Sequence, residues 1–322
     1  MGTAEVPKGL LWYPDSEPGI TRVRCGRGFS YRGADGTTIA RGAERARIEA
    51  LAVPPAYDNV WISPHARGHL LATGMDARHR KQYRYHPDWA EARALLKFGG
   101  LAEFGRTLPR IRRRIARDLA EEVGSEAFAL AAAALLIDRL SLRVGNKAYT
   151  RENGSYGALT LTRRHLRLTR TGLNLSYTAK GGLAVRRRLT DRKLLRVLET
   201  VRDLPGATLM SWVDDDGIAR SLTSGGLNAY LSDAAGSDTT AKVFRTWAGS
   251  LAAFEAVEGG ADTIKALSEA AATRLANTPT VARNSYIHPK VIDLLDTPQT
   301  PEGAGLRGLS ATENRMLTLI DA

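Results

Sequence analysis

The chain contains a single cysteine, Cys25, in 322 residues, so no intramolecular disulfide can form and a reducing compartment is expected. Taken alone, Cys25 reads as a small buried or half-buried side chain. Cys/His ligand spacing is missing, as are a Gly-rich phosphate loop followed by Lys-Ser/Thr and a paired-carboxylate motif. Metal and nucleotide chemistry therefore have no visible anchor, and neither a metal nor a cofactor is expected. Asp214-Asp215-Asp216-Gly217 has the composition of a solvated turn, as does the segment between His65 and His69, so neither is expected to ligate an ion. No apolar run reaches the roughly 18 residues of a membrane span. The start MGTAEVPKGL also lacks the basic flank and apolar core of a secretory signal, so a cytoplasmic protein without a membrane partner is expected. Acidic residues are short too: 34 Asp and Glu face 46 Lys and Arg, a formal charge of +12. Each phosphate that such a surface neutralises releases condensed counterions, which makes nucleic acid the expected partner.

Hydrophobic residues make up 43% of the chain and charged residues 25%, enough apolar material for real cores, and the length suits two domains. From Ile20 to about Tyr85, short strand-like runs (ITRVRC, GFSYR, VWISP, GHLLATG, KQYRYH) alternate with turns, with a short helix expected over 43–50. After Pro87 the period becomes helical, over 89–97, 105–123 and 125–142, and AFALAAAALLIDRL is apolar nearly all round, as a central buried helix would be. Period two returns in GALTLT, LRLTR, LNLSYTAK and LAVRRRL, which predicts a three- or four-stranded sheet. Helices are expected again at 191–202, 223–233, 239–257, 261–276 and 311–321, with a short one at 288–295. The expected fold class is α+β: a small antiparallel β domain over 1–88 and a mainly α-helical domain over 89–322 that carries a small sheet.

Three cations occupy positions the sequence marks as fixed. Arg143 follows the apolar helix and precedes Gly145-Asn146, read as a helix stop. Lys180 precedes Gly181-Gly182 at a hairpin tip. Arg245 lies in the first turns of the helix opened by Ser237-Asp238-Thr239-Thr240, where the helix dipole favours a bound anion. Further basic residues suggest a DNA track: Arg110, Arg112, Arg113, Arg114 and Arg117 on one helix, Arg163, Arg164, Arg167 and Arg170 beside the sheet, and Arg186, Arg187 and Arg188 next to the lysine hairpin. In the β domain, Arg80, Lys81, Gln82, Tyr83 and Tyr85 interleave donors with aromatics, as contacts to phosphates and grooves require.

The segments LSLRVGNKAY…ENGSYGALTL, YTAKGG, AKVFRTWAGS and NTPTVARNSYIHP, in this order, resemble the catalytic domain of type IB DNA topoisomerases, particularly the compact poxvirus-like bacterial group. VPPAYDNVWISPHARGHLLATGMDARHRKQYRYHPDW resembles that group's N-terminal β domain, and the likeness extends over roughly residues 20–295. The resemblance implies a two-domain clamp that acts as a monomer, with double-stranded DNA between the domains. It implies Tyr286 as the nucleophile, Arg143 and Arg245 as clamps on the non-bridging phosphate oxygens, and Lys180 as the acid for the departing 5′-oxygen. The family's fourth helper is often a histidine; the matching position here is Asn277, whose amide can donate a hydrogen bond but carries no charge.

The chemistry fits these residue types. Attack on a phosphodiester builds charge on equatorial oxygens, which guanidiniums hold in a permanently charged fork, and a lysine beside other cations can hand its proton to the leaving oxygen. A covalent 3′-phosphotyrosyl link stores the energy of the broken bond, so the implied activity is relaxation of supercoiled DNA by strand cleavage, rotation and religation, without ATP or metal. Two alternatives share parts of this pattern. A tyrosine recombinase would normally carry a helical N-terminal domain and a histidine three residues before the second arginine, where this chain has Lys242. A non-catalytic DNA-binding protein would need none of the catalytic positions filled.

Overall fold

The computed structural model describes residues 6–169, 172–297 and 301–322, with the backbone alone at 94–97. It divides into two compact units, residues 1–97 and 98–322. The sequence boundary expected at 88/89 marks instead the start of a helix that runs on to residue 99, so the division falls inside that helix.

In the first unit, alternation of apolar and polar residues builds β1 (Ile20–Cys25) and β2 (Gly28–Arg32), followed by α1 (Ala43–Ala50), β3 (Asp58–Ile62), β4 (Leu70–Met75) and β5 (Lys81–Tyr85). The strands form one antiparallel sheet in the order β2-β1-β3-β4-β5, which leaves β5 at an edge. Ile20, Tyr31, Val60, Ile62 and Ala72 form its core, into which α1 inserts Ile48. Cys25, at the end of β1, is exposed rather than buried, because it faces away from that core.

α2 (Pro87–Gly99) leads to the helical unit: α3 (Leu101–Asp118), α4 (Glu126–Leu140), α5 (Lys147–Asn153), α6 (Arg192–Asp203), α7 (Ser224–Ala235), α8 (Ala241–Glu258), α9 (Ile264–Leu275), α10 (Pro279–Tyr286), α11 (Pro289–Asp293) and α12 (Ala311–Asp321). A three-stranded antiparallel sheet, β6 (Leu166–Thr169), β7 (Gly172–Thr178) and β8 (Ala184–Leu189), lies between α5 and α6. A two-stranded ribbon, β9 (Ser211–Val213) and β10 (Ala219–Ser221), encloses the acidic turn, where Asp214 accepts from Ile218 N and Arg220. The fold class is α+β. Arg170 lies outside the described residues.

α4 is the central helix its composition requires. Ser125 caps its start by accepting from Phe128 N, and Ala129, Ala131–Ala134, Leu136 and Ile137 are almost fully buried. Each such leucine or isoleucine contributes about 1.5–3 kcal/mol relative to exposure. α3 and α12 are joined to it by ions. Arg112 donates to Asp138 at 3.0 Å and to Glu313 at 2.8 Å, and Trp247 Nε1 donates to the same Glu313 carboxylate at 3.2 Å. Burial alone would raise the Glu313 carboxyl; the Arg112 guanidinium reverses this and holds it below the usual range. Arg112 is thus a core ion-pair residue rather than part of a DNA track, and Arg114 is likewise engaged by Asp118 and Asp233.

Two local expectations change. GALTLT is not a strand: Ala158 N and Leu159 N donate to Arg143 O and Val144 O at 2.8 Å, and the segment turns so that Ala158, Leu159 and Leu161 are all buried. Asn146 does not end a helix but begins one, its Oδ1 accepting from Ala148 N and Tyr149 N at the start of α5.

Candidate active site

Arg143 is placed by the way α4 ends. Ser141 adopts the left-handed conformation at φ 54°, turning the chain out of the helix, and Leu142 is buried beneath. The turn around Gly157 then grips the Arg143 backbone. A Cβ on Gly157 would lie 2.5 Å from both Arg143 O and Gly145 N, so only glycine allows this approach. The guanidinium reaches across to Ala276 O at 3.4 Å and Asn277 Oδ1 at 3.1 Å.

Lys180 sits on the β7–β8 turn, closed by Ala179 N donating to Leu183 O at 2.7 Å, with Gly181 and Gly182 at positive φ. Its side chain is exposed, with the ammonium 5.2 Å from the centre of the Tyr149 ring. Lys180, Tyr149 and Arg143 line one open pocket of about 310 Å³, together with Asn146, Ser155 and Tyr156.

Arg245 is only 4% exposed. The expected reason for its position, the positive end of its own helix, is not the operative one. Its guanidinium donates to Ser141 O, the cap of α4, and to Leu275 O at 3.0 Å, the last residue of α9; it is held by the carbonyl ends of two other helices. Its Cζ lies 5.2 Å from the centre of the Tyr286 ring. Burial, followed by the charge of Arg143, makes Arg245 less basic than an ordinary arginine.

Tyr286 is the last residue of α10, a helix the sequence reading did not include. Its signal was present in Thr278-Pro279: Thr278 caps by accepting from Val281 N, and proline occupies the first turn. α8 fixes the tyrosine's backbone. Gly249 allows it to approach, since a Cβ there would lie 2.8 Å from both Tyr286 Cβ and Tyr286 O. Ser250 Oγ donates to Tyr286 O at 3.1 Å and accepts from His288 N at 3.0 Å.

The end of α9 organises the cluster. A helix terminus leaves carbonyls without intrahelical donors. Here Arg187 takes Thr273 O at 3.4 Å and also Arg274 O, Arg245 takes Leu275 O, and Arg143 takes Ala276 O. Among the described residues, four buried side-chain polar atoms have no hydrogen-bond partner, and three are N–H donors of this cluster: Arg187 Nε, Arg245 Nε and Asn277 Nδ2. Unused buried donors beside convergent guanidiniums favour an anionic oxygen acceptor. Tyr177 belongs to the same neighbourhood. Burial raises its hydroxyl pKa, against the opposing charges of Arg187, Arg245 and Arg143.

The structure therefore gathers Arg143, Arg245, Asn277 and Tyr286 around the end of α9, and Lys180 shares a pocket with Arg143. Of the three arginines after the hairpin, Arg186 and Arg188 are exposed while Arg187 turns inward. On edge strand β5, Tyr83 and Tyr85 are 52% and 44% exposed and stack with ring centres 5.9 Å apart. Their neighbours are held by acids: Lys81 pairs with Asp15 at 2.5 Å, and Asp76 takes both Arg80, at 2.7 Å, and Gln82, at 2.9 Å. No group of His, Cys, Asp and Glu suited to a metal ion occurs among the described residues, and none of their helices is long and apolar enough to cross a membrane.

Comparison with known proteins points the same way. A family model described as the N-terminal domain of bacterial DNA topoisomerase IB matches residues 28–76, and one described as the catalytic core of eukaryotic DNA topoisomerase I matches residues 86–286. The chain is 27% identical over 237 residues to DNA topoisomerase 1B of Acanthamoeba polyphaga mimivirus, an alignment that covers 72% of this chain and 70% of that protein.

Proposed function

Because the chain belongs to the DNA topoisomerase I family, type IB, and so is an isomerase acting on DNA, we propose that Tyr286 cleaves one strand through a 3′-phosphotyrosyl intermediate. The tyrosine hydroxyl loses its proton to solvent as its oxygen bonds to phosphorus and the bond to the 5′-oxygen breaks, and Lys180 supplies the proton that the leaving oxygen takes. Arg143 and Arg245 hold the non-bridging oxygens, where charge accumulates, and the Asn277 amide donates to one of them. The downstream DNA rotates, and the 5′-hydroxyl attacks the phosphotyrosine in the reverse sense, so neither ATP nor a metal is consumed. Tyr83, Tyr85, Arg186 and Arg188 are proposed DNA contacts, and the enzyme is proposed to act as a monomer on the nucleoid.

The observation that carries this reading is the pair of unused buried donors on Arg245 and Asn277, beside a tyrosine whose ring packs against Arg245. A phosphodiester would engage such donors without a metal ion. The test is relaxation of supercoiled plasmid in EDTA without ATP, by the wild type and by Tyr286→Phe, with mapping of the peptide left on the DNA. Relaxation by the wild type alone, with Tyr286 in the trapped peptide, supports the mechanism. Full activity of the phenylalanine variant would refute it.

A further inference from the structure

Arg187 is out of place for its strand. β8 turns Val185 and Leu189 inward, both 4% exposed, and Arg187 occupies the inward position between them. An arginine on such a face is costly, since burial penalises its charge and its Nε finds no acceptor. Two contacts show what this charge does. The guanidinium donates to Thr273 O and Arg274 O at the end of α9, and the next two carbonyls of that chain end hold Arg245 and Arg143. Asn277 follows directly. Arg187 also stands opposite Leu175 in the β7–β8 ladder, whose turn carries Lys180.

We propose that Arg187 is a positioning residue that fastens the Lys180 hairpin to the α9 terminus, fixing the acid relative to the two phosphate clamps. Beyond Thr178, whose O accepts from Tyr156 N at 2.8 Å, the tip is open: Gly181 and Gly182 adopt positive φ, and the Lys180 side chain is exposed, with its ammonium over Tyr149. Registry between acid and phosphate is therefore set at the base of the hairpin, where Arg187 acts. This rests on the reading of Lys180 as the proton donor.

The test measures single-turnover cleavage of a DNA duplex carrying either the normal 5′-oxygen or a bridging 5′-sulfur at the mapped cleavage site. Sulfur is a better leaving group and needs no proton. The proteins are the wild type, Arg187→Ala, Arg187→Lys and Lys180→Ala, each checked for a cooperative thermal transition. Arg187→Ala is expected to cleave the oxygen substrate about 10²-fold more slowly, the scale of a displacement of about 1 Å, and the sulfur substrate at nearly the wild-type rate. Arg187→Lys, which keeps the charge but lacks the fork that spans two carbonyls, should fall between. Equal slowing of Arg187→Ala on both substrates, or no slowing, overturns the inference while Lys180→Ala is still rescued by sulfur. If Lys180→Ala is not rescued, the reading of Lys180 as the acid fails and the inference fails with it. Should the alanine variant not fold, the lysine variant alone decides by the same comparison.

Discussion

Arg143 donates to Oδ1 of Asn277 at 3.1 Å, and this bond fixes which end of the amide faces the guanidinium. The reverse orientation would set N–H against N–H, so Nδ2 is left as the buried donor without a partner. Asn277→Ala should slow single-turnover cleavage by about 10²-fold, the effect of losing one transition-state donor. Arg143→Ala should cost more. Asn277→Asp should also be worse than alanine, because a carboxylate would pair with Arg143 and repel the phosphate. Rapid-quench cleavage assays check the order; an alanine defect as large as that of Arg143→Ala would remove the helper role.

Gly249→Ala places a methyl group 2.8 Å from both Tyr286 Cβ and Tyr286 O. α8 is buried around this point and cannot retreat, so the tyrosine segment must move. Cleavage should fall by about 10²-fold while circular dichroism and DNA affinity stay near wild type. Unchanged cleavage would show that Tyr286 reaches its reactive position by another route.

Arg112→Met leaves Asp138 and Glu313 buried without their cation, which should cost about 3–5 kcal/mol in urea unfolding at pH 7. The pH dependence should change sign. With Arg112 present, the Glu313 carboxyl is depressed, so its contribution is intact above the unfolded carboxylate range and is lost as pH falls through the folded value. Without it, burial raises the carboxyl, and lowering the pH should recover part of the lost stability.

His288 caps α11 by accepting from Lys290 N and packs edge-to-face on Phe98; burial, then the charge of Lys290, lowers its pKa from 6.5 to about 4. The folded state keeps it neutral while the unfolded state takes a proton first. Stability from this group is complete above pH 6.5 and is lost as pH falls toward 4, on the order of 3 kcal/mol. His288→Asn preserves a capping acceptor without titrating, so the difference between the two unfolding profiles should show this slope. A flat difference between pH 7 and 4 would contradict it.

Tyr83 and Arg186 should separate by salt. Removing an exposed, uncharged ring by Tyr83→Ala should weaken DNA binding at all salt concentrations without changing the slope of log K against log salt. Arg186→Ala should reduce that slope by about 1. Fluorescence anisotropy over a salt series distinguishes the two.

The sequence made much of this visible. α1 and α12 have the expected bounds, and the apolar run at 126–140 is the central helix. Its failures have physical causes. GALTLT alternates like a strand, yet its backbone donors are used by the Arg143 loop, a partner distant in the fold rather than a neighbouring strand. Arg187 reads as one of a basic run with Arg186 and Arg188, although period two along β8 separates it from them and puts it on the side of Val185 and Leu189. Which cation finds which carbonyl cannot be read locally. Arg245 owes its place to Ser141 and Leu275, far from it in sequence, and Ser250 and Tyr177 joined the site only when α8, α10 and β7 were assembled.

The end of α9 also bears on how the site can vary. Its receptors for Arg187, Arg245 and Arg143 are main-chain oxygens, so other side chains could replace Thr273 or Arg274 without removing them, whereas Leu275 is held by burial. Length is a different matter. One residue inserted into α9 turns everything beyond it by about 100° and would carry the carbonyls away from all three guanidiniums together. The site should thus tolerate drift in the spelling of this helix and not in its letter count.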